Sequence, residues 1–482
     1  MVGSGGSTHM VFNSLTFIVF FVVIQGAYAL LPTWKSRKIL LLLASYFFYA
    51  AWNPPFVLLI ILSTAIDFVL ARKIAKSTVQ RHRRLLLMGS LAVNLGLLSY
   101  FKYSPFALES LQQALAVVGI VWVPPEWGII LPVGISFYTF QTLSYTIDVY
   151  RGQLEPKESL LDFALFVTFF PQLVAGPIVR AVDFLPQLAV PRVVTSKQFG
   201  WGLSLATIGL FNKVVLGDGL MAPVVTATFD RWALISGGEA VLGTLAFTAQ
   251  IFFDFSGYST IAIGVAMTFG FALPDNFHFP YGARGFSDFW RRWHISLSSW
   301  LRDYLYISLG GNRRGDTRTN INLMTTMLLG GLWHGASFRF LVWGALHGAY
   351  LFIERTIDAK LGHLSWYHTT VGRLAGWSLT LGATMLAWVF FRAPSVQGAF
   401  GMLVSMVTWA PGSFDAVNSL TSVIVVLVFG LTVCWHYLFR DVRVETMAQA
   451  VPVPLRAVLL GAMLFICMMA PGNSTAFIYF QF

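Results

Sequence analysis

Charged residues are scarce in this chain of 482 residues, making up 11 % of it, whereas 56 % of the residues are hydrophobic. Soluble domains carry about 25 % charged residues, so this composition excludes a water-facing surface of ordinary size. Roughly 20 apolar residues cross a bilayer as one helix. The composition therefore predicts an all-α polytopic membrane protein with about ten to twelve transmembrane spans.

Cysteine is equally scarce, since Cys434 and Cys467 are the two in the chain and both lie in hydrophobic segments. Neither a disulfide framework nor a thiolate metal site is therefore indicated, and we expect no metal site. The chain also lacks the H-E-x-x-H, G-x-S-x-G and P-loop motifs, and a G-x-G-x-x-G after a strand. The catalytic motifs of soluble enzymes therefore indicate no reaction for this chain.

Acidic residues number 21 against 32 basic ones, which gives a net charge of +11. In a polytopic membrane protein such an excess collects in cytoplasmic loops, so we expect no nucleic-acid partner. Residues 72–84 hold six basic residues and no acid, which places this loop in the cytoplasm and the N-terminus outside. Residues 278–318 should also face the cytoplasm, with seven arginines: Arg284, Arg291, Arg292, Arg302, Arg313, Arg314 and Arg318.

The chain reads as one integral-membrane domain, residues 10–482, preceded by a tag remnant at residues 1–9. The apolar run from Val11 to Leu31 lacks a basic n-region and a cleavage site, so we expect it to stay in the membrane. Several apolar runs, such as 39–52, are too short to cross upright. These shorter runs indicate re-entrant or buried segments.

Apolar residues recur at helical spacing from Ser287 to Leu309, with Trp290, Trp293 and Trp300 among them. Three arginines, Arg291, Arg292 and Arg302, fall on or beside the opposite face. This pattern predicts one amphipathic helix that lies on the membrane surface or dips partly into it.

Two histidines, His334 and His347, lie in or next to strongly apolar runs, and each occupies a G-x-x-H-G window. A polar side chain at membrane depth is costly unless it is paired or lines a cavity. The glycines around His334 and the break after Gly335 indicate a helix that ends at a cavity, which favours a functional role. For His347 we favour a packing face in which the imidazole bonds a neighbouring helix.

Three further polar groups are candidates for a site. His294 taken alone is more typical of an interfacial histidine than of a functional one. Asp254 lies inside a long apolar run and needs a partner, for which an arginine or histidine of another helix is favoured. Lys213 and Asp218 are expected to pair with each other as a structural pair.

A buried imidazole is suited to act as a base, because desolvation keeps it neutral and able to accept a hydroxyl proton. Acyl transfer from a thioester to an alcohol fits this chemistry. The basic segment could hold the phosphates of coenzyme A or of a phosphopantetheine arm, with Arg291, Arg292, Trp293, Arg302 and Arg313 as donor-binding candidates. The ordinary enrichment of basic residues in cytoplasmic loops explains the net positive charge of this segment equally well.

Two other classes of protein stay open from the residues alone. A secondary transporter could use Asp254, His334 and His347 as a proton relay, although the internal repeats that such a fold predicts are not found. A scaffold that only anchors an exopolysaccharide machinery is the other, and it leaves the His294 and His334 motifs unexplained.

The stretch from Asp288 to Ser298 (DFWRRWHISLS), followed forty residues after His294 by Gly331 to Gly335 (GLWHG), resembles the membrane-bound O-acyltransferase (MBOAT) superfamily. The opening MVFNS at residues 10–14, the FDFSGY stretch at 253–258 and the LGGNR turn at 309–313 are similar to its bacterial alginate O-acetyltransferase branch. The likeness covers nearly the whole chain after residue 9.

The resemblance implies a bundle of about eleven spans with re-entrant or interfacial helices and a cytoplasmic funnel for the acyl donor. It implies that His334 is the catalytic residue and that His294 lines the same site. It also implies an acetyl group taken from acetyl-CoA or an acyl carrier protein, with no bound cofactor, in the bacterial cytoplasmic (inner) membrane.

The same resemblance implies that the acyl group crosses the membrane to a periplasmic or extracellular partner. That partner has a serine hydrolase-like fold and acetylates an exported polysaccharide, alginate-like, cellulose or peptidoglycan. D-alanyl transfer to teichoic acid is the alternative within the superfamily. We rank it lower because the LGGNRRG turn at 309–315 is more similar to the acetylation branch.

Overall fold

The computed structural model describes residues 10–125, 128–174, 176–412 and 416–470, without the side chains of Trp366 and Glu445. Residues 1–9, which the sequence analysis interprets as a tag remnant, lie outside the described residues. Within these ranges the regular structure is helical, apart from one isolated β-bridge between Phe277 and Trp293. The all-α prediction is confirmed.

The described chain forms two compact units, one of residues up to 206 with 261–274, the other of 207–260 with the residues from 275 onwards. The first unit holds α1 Leu15–Leu30, α2 Trp34–Ala50, α3 Phe56–Lys76, α4 Gln80–Leu98, α5 Ser104–Val117, α6 Ile135–Arg151, α7 Leu160–Thr168, α8 Phe170–Leu173 and α9 Ala181–Ala189. Both units take residues from α10 Ser196–Phe211 and α12 Gly237–Thr268.

The second unit carries the remaining α-helices: α11 Ala222–Phe229, α13 Phe286–Trp290, α14 Ile295–Trp300, α15 Asp316–His334, α16 Phe338–Leu361, α17 Thr370–Arg392, α18 Val396–Thr408, α19 Ser419–Phe439, α20 Val444–Ala450 and α21 Val453–Met469. Three π-helical segments interrupt or extend the α-helices: Ser99–Tyr103, Asn212–Met221 and Leu301–Tyr306. Short 3₁₀ turns lie at Pro280–Gly282 and Ser365–His368.

Five described helical stretches are long and apolar enough to cross a membrane: Gln80–Val117, Ser196–Phe229, Gly237–Thr268, Thr370–Arg392 and Ser419–Phe439. Three shorter apolar helices accompany them, α1, α18 and α21. Large apolar side chains such as Leu15 and Leu431 stay exposed on these helices, as expected where lipid replaces water. The chain is a polytopic membrane protein, and the count of about eleven spans stays a prediction.

A buried polar cluster joins three helices of the first unit. Asp67 of α3 accepts hydrogen bonds from Ser90 Oγ at 2.5 Å and from Asn94 Nδ2 at 2.7 Å, both on α4. The Asn94 side-chain oxygen accepts in turn from Ser63 Oγ at 2.9 Å and from Thr142 Oγ1 of α6 at 3.1 Å. Each polar group buried here therefore has a partner, as membrane depth requires.

Helices α15 and α16 of the second unit meet at glycines. A Cβ atom on Gly331 would overlap the Phe340 carbonyl and lie 3.3 Å from Gly344 Cα, and a Cβ on Gly344 would overlap the Met327 carbonyl. Close backbone approach at small residues is the usual packing mode of membrane helices. The packing face predicted around these glycines is confirmed, and α15 ends three residues after Gly331, at His334.

The single amphipathic helix predicted from Ser287 to Leu309 is wrong. Helix α13 ends at Trp290, α14 begins at Ile295, and the backbone between them pairs with a neighbouring segment. The His278 amide donates to the Arg292 carbonyl at 2.9 Å, and the Ile295 amide donates to the Asn276 carbonyl at 3.0 Å. The tryptophans therefore do not line one face of a single helix, and Trp293 is buried within the unit rather than facing the membrane surface.

Candidate active site

His294 lies at the break between α13 and α14 and is fully buried. Its backbone is left-handed, with φ of 43° and ψ of 53°. A bulky residue in this region is strained by about 1 to 2 kcal/mol, so the surrounding structure must hold it there. Strained residues of this kind concentrate at functional sites.

Asn276 supports the His294 ring through its side chain. Its Oδ1 atom lies 3.4 Å from His294 Nδ1, accepts from Ser296 Oγ at 2.6 Å and accepts from the Ser296 amide at 3.3 Å. The Asn276 Nδ2 atom donates to Ser259 Oγ of α12 at 3.0 Å. Because a backbone amide can only donate, the atom facing it is the Asn276 oxygen, and His294 Nδ1 beside it carries the proton.

His334 is the last residue of α15 and is 3 % exposed. Its imidazole is enclosed by aromatic rings, with centroid distances of 5.1 Å to Trp333, 5.0 Å to Trp343 and 5.2 Å to Phe391. Gly335 follows at the helix end, where a Cβ atom would overlap the Phe340 ring. The predicted helix end at this histidine is confirmed, and aromatic side chains enclose the imidazole, so the cavity stays a prediction.

The two histidines lie in one site, although forty residues separate them in the chain. Their ring centroids are 6.4 Å apart, and Trp333 contacts both rings, at 5.8 Å from His294 and 5.1 Å from His334. Burial lowers the pKa of His294 to about 3, so its imidazole is neutral at physiological pH. With Nδ1 protonated, Nε2 is left as a hydrogen-bond acceptor.

His347 lies outside this pair, in an aromatic cluster on α16. It is fully buried, with ring centroids 4.7 Å from Trp343 and 5.0 Å from Trp290. Within the described part of the chain neither ring nitrogen forms a hydrogen bond. The predicted bond to a neighbouring helix is therefore wrong, and His347 packs through ring contacts on the same tryptophan that encloses His334.

Asp254 is paired with a lysine. Lys213 forms an ion pair with Asp254 and a second one with Asp218 at 2.9 Å, and all three side chains are at most 5 % exposed. The Lys213–Asp218 pair was predicted and is confirmed. The arginine or histidine favoured as the Asp254 partner was wrong, because Lys213 serves both carboxylates.

The predicted donor-binding residues fall into two groups. Arg291, Arg302 and Arg313 are exposed, Arg302 beside Asp303 with an Nε–Oδ1 distance of 2.6 Å. Arg292 is mostly buried and pairs with Asp288 at 2.7 Å, and Trp293 is 1 % exposed. The structure therefore presents three of these side chains to solvent and packs the other two inside the second unit.

Asn276 and Ser259 are the site residues that the sequence analysis missed. Asn276 lies in the polar turn Pro274-Asp275-Asn276, which reads as a loop, and Ser259 lies one residue after the FDFSGY stretch. The one signal in the sequence is that Ser259 is a polar residue within an apolar helix. Only the fold brings them to His294.

A buried pair of imidazoles, of which His294 is neutral, beside a basic segment supplies a candidate general base for acyl transfer. Comparison with known proteins agrees, because the sequence profile of the membrane-bound O-acyltransferase family, MBOAT, matches residues 156–391. The chain belongs to this family. Within the family it falls in the alginate O-acetylase-like branch and is an O-acetyltransferase.

The branch follows from similarity to curated relatives. The chain is 41 % identical over 416 residues to the probable alginate O-acetylase AlgI of Pseudomonas aeruginosa, covering 85 % of this chain and 77 % of the relative. It is 36 % identical over 433 residues to the peptidoglycan O-acetyltransferase of Helicobacter pylori, covering 83 % and 80 %. A teichoic acid D-alanyltransferase of Streptococcus thermophilus is 31 % identical over 281 residues, covering 54 % and 67 %.

Proposed function

We propose that this protein takes an acetyl group from a cytoplasmic thioester and passes it through the bacterial inner membrane for O-acetylation of an exported polysaccharide. The observation that carries the proposal is the buried pair of His294 and His334, with ring centroids 6.4 Å apart. A neutral imidazole in a water-poor site accepts a hydroxyl proton and is poorly placed to hold a permanent charge.

In this mechanism His334 is the general base. It takes the proton from the acceptor hydroxyl as the new O–C bond forms at the acetyl carbonyl and the C–S bond of the thioester breaks. The imidazolium then returns the proton to the departing thiolate, so atoms and charge balance without a further reactant. A positioned base of this kind contributes about 10²- to 10⁴-fold to the rate.

His294 has a different part in the same site. The Asn276 oxygen fixes the proton on Nδ1, which leaves Nε2 able to accept a hydrogen bond from a hydroxyl or a protonated neighbour. A ring held in one tautomer and one orientation costs little reorganisation during the reaction. We assign it the orientation of the acceptor hydroxyl towards His334.

The donor in this proposal is acetyl-CoA, with an acyl carrier protein as the alternative thioester. The exposed guanidinium groups of Arg291 and Arg313 are available to phosphate oxygens, whereas that of Arg302 pairs with Asp303 at 2.6 Å. Arg292 is assigned a structural part instead, because Asp288 and Asp441 already occupy its guanidinium.

The acceptor polymer follows from the relatives, which act on alginate and peptidoglycan by their names. A periplasmic or extracellular partner with a serine hydrolase-like fold would complete the transfer to the sugar. D-alanyl transfer is less favoured, because the match to the D-alanyltransferase covers 54 % of the chain against 85 % for the alginate O-acetylase.

The test is His334→Ala in the full chain, expressed in a host that carries the export machinery for the polymer. Polymer acetylation should fall by about 10²-fold or more, with expression and thermal stability unchanged. His363→Ala, at an exposed histidine of the same unit, is the matched control. Normal acetylation in the His334 variant would rule out the mechanism.

The donor is identified by the same membranes supplied in turn with radiolabelled acetyl-CoA and with a D-alanyl carrier protein. Label transfer from acetyl-CoA alone supports acetylation, whereas transfer from the D-alanyl carrier alone supports the alternative. Substrate flux in vesicles without any donor would favour the transporter class.

A further inference from the structure

The ten residues from Asn212 to Met221 form a π-helical segment, an uncommon structure that occurs mostly at functional sites. Lys213 and Asp218 lie five positions apart within it, with Nζ and Oδ1 2.9 Å from each other. In an α-helix, residues five apart point about 140° away from each other around the axis. Hydrogen bonding from each residue to the fifth one along brings the two side chains to the same side, so the π geometry creates this pair.

The same Lys213 ammonium reaches Asp254 on α12, which makes a buried cluster of one ammonium and two carboxylates. The helices approach closely at this point. A Cβ atom on Gly257 would lie 2.7 Å from the Gly209 carbonyl oxygen and 2.9 Å from the Lys213 amide nitrogen. Any larger residue would separate the helices, so the ion pairs and the glycine contact together fix the position of α12 here.

The opposite face of α12 supports His294. The Phe255 ring meets the His294 ring edge-on at 4.6 Å, and Ser259 Oγ accepts from Asn276 Nδ2 at 3.0 Å. At about 100° per residue, Asp254 and Gly257 lie on one side of the helix and Phe255 and Ser259 about 150° away from them. The ion cluster and the histidine support therefore lie on opposite faces of the same stretch of α12, about one and a half turns long.

We propose that Lys213 is a positioning residue for His294, acting through α12. The ion pairs fix the rotation of α12 about its axis and its position along that axis. Both determine where Phe255 contacts His294 and where Ser259 accepts the hydrogen bond from Asn276. The inference rests on the proposed acyl transfer, because it assigns His294 a part in that reaction. A misplacement of about 1 Å at a reacting group can cost about 100-fold in rate, so a small movement of α12 is enough.

The first test compares Lys213→Met with Lys38→Met in the full chain. Lys38 forms a similar ion pair with Asp162 in the first unit, with side chains 12 % and 14 % exposed. Lys213→Met should lower kcat by about tenfold to hundredfold while KM for acetyl-CoA stays unchanged. Lys38→Met should leave kcat unchanged, and an equal loss in both variants would overturn the inference.

Removing one partner of a buried ion pair can also unfold the protein. The triple variant Lys213→Met, Asp218→Asn, Asp254→Leu removes all three charges and should fold, because apolar replacement of a whole buried network is often neutral for stability. If the cluster positions α12, kcat stays low in the triple variant. Recovery of the wild-type kcat there would show a merely structural cluster.

A charge exchange, Lys213→Asp with Asp254→Lys, restores an ion pair between the two helices and should recover part of the lost kcat. The last measurement is a double-mutant cycle with His294→Ala. Because Lys213 acts through His294, Lys213→Met should cause no further loss of kcat in the His294→Ala background. If the two substitutions lower kcat independently and additively, Lys213 does not act through His294.

These outcomes separate the inference from the proposed function. If His334→Ala is inactive but Lys213→Met is stable and has a normal kcat, the positioning role fails and acyl transfer stands. If His334→Ala is fully active, acyl transfer at this site fails first.

Discussion

The Asn276 side-chain oxygen lies 3.4 Å from His294 Nδ1 and 2.6 Å from Ser296 Oγ, so one atom supports the groups on both sides of a left-handed backbone turn. The Asn276 backbone carbonyl adds a hydrogen bond from the Ile295 amide at 3.0 Å. Asn276 therefore holds the ring tautomer, the backbone of the turn and the first residue of α14 at once.

Replacing Asn276 with alanine should lower the rate of acetyl transfer by about tenfold to hundredfold, because the loss of a buried hydrogen-bond partner costs about 1 to 3 kcal/mol. Ser259→Ala removes only the outer bond of the same chain and should cost less. Initial rates with acetyl-CoA in purified membranes measure both. A larger loss in Ser259→Ala than in Asn276→Ala would contradict this order.

Substitutions at His294 should separate backbone strain from ring chemistry. Asparagine and glycine adopt the left-handed region readily, whereas alanine is strained there by about 1 to 2 kcal/mol. All three variants should have a reduced rate of acetylation, but His294→Ala should have the lowest thermal stability of the three. Thermal unfolding of the three variants in detergent can be measured by the loss of the monodisperse peak. Equal stabilities of the three variants would contradict a strained turn.

The stability of the protein should depend on pH through His294. Burial lowers its pKa from 6.5 to about 3 in the folded chain, so the unfolded chain binds a proton between these values and the folded chain does not. The stabilisation is complete above about pH 6.5 and is lost as the pH falls towards 3.

Thermal stability measured from pH 7.5 down to 4.5 should therefore fall less steeply in His294→Asn than in the wild-type chain. An identical pH dependence in the two proteins would show that another group is responsible. His363→Ala, at an exposed histidine, should behave as wild type.

The glycine contact between α15 and α16 should be intolerant of a methyl group. Gly331→Ala places a Cβ atom on the Phe340 carbonyl, and we expect a loss of about 1 to 3 kcal/mol together with reduced activity, because α15 carries His334. Gly430→Ala on α19 has nothing within 4 Å and is the matched control. A Gly331→Ala protein as stable and active as Gly430→Ala would show that the helices can move apart freely.

Donor affinity should follow the exposed arginines. Arg313→Ala should raise KM for acetyl-CoA by a few-fold, more at low salt, because an exposed charge acts through screened electrostatics. Arg292→Ala should instead lower thermal stability, since it removes one of the two arginines, the other being Arg440, that pair with Asp288 and Asp441. A raised KM in Arg292→Ala together with a lowered thermal stability in Arg313→Ala would contradict both assignments.

The amino-acid sequence was sufficient to predict the helical membrane fold, because apolar runs and charge scarcity follow directly from the cost of burying charge in lipid. It also singled out His294 and His334 as motifs. The turn at His294 was invisible, since Trp290, Trp293 and Trp300 keep helical spacing through a break made by the bridge to Phe277. Asn276 was missed for the same reason, because its role depends on pairing between distant segments.

The partner of Asp254 shows a second limit. A buried carboxylate requires a compensating group, but composition and spacing do not choose among the cations of other helices. Lys213 was paired with Asp218 alone, and only the crossing of α12 at Gly257 shows that it serves both acids.

The buried cluster around Asp67 has a consequence for biogenesis. Helix α3 leaves the ribosome before α4, which supplies Ser90 and Asn94, and before α6, which supplies Thr142. Until those helices arrive, the Asp67 carboxyl group of α3 has no protein partner in lipid. We therefore expect α3 to stay in the insertion machinery, or at its edge, rather than to enter the lipid alone. The three helices are then expected to enter the bilayer as a group, and chains truncated before α6 should be degraded faster than chains truncated after it.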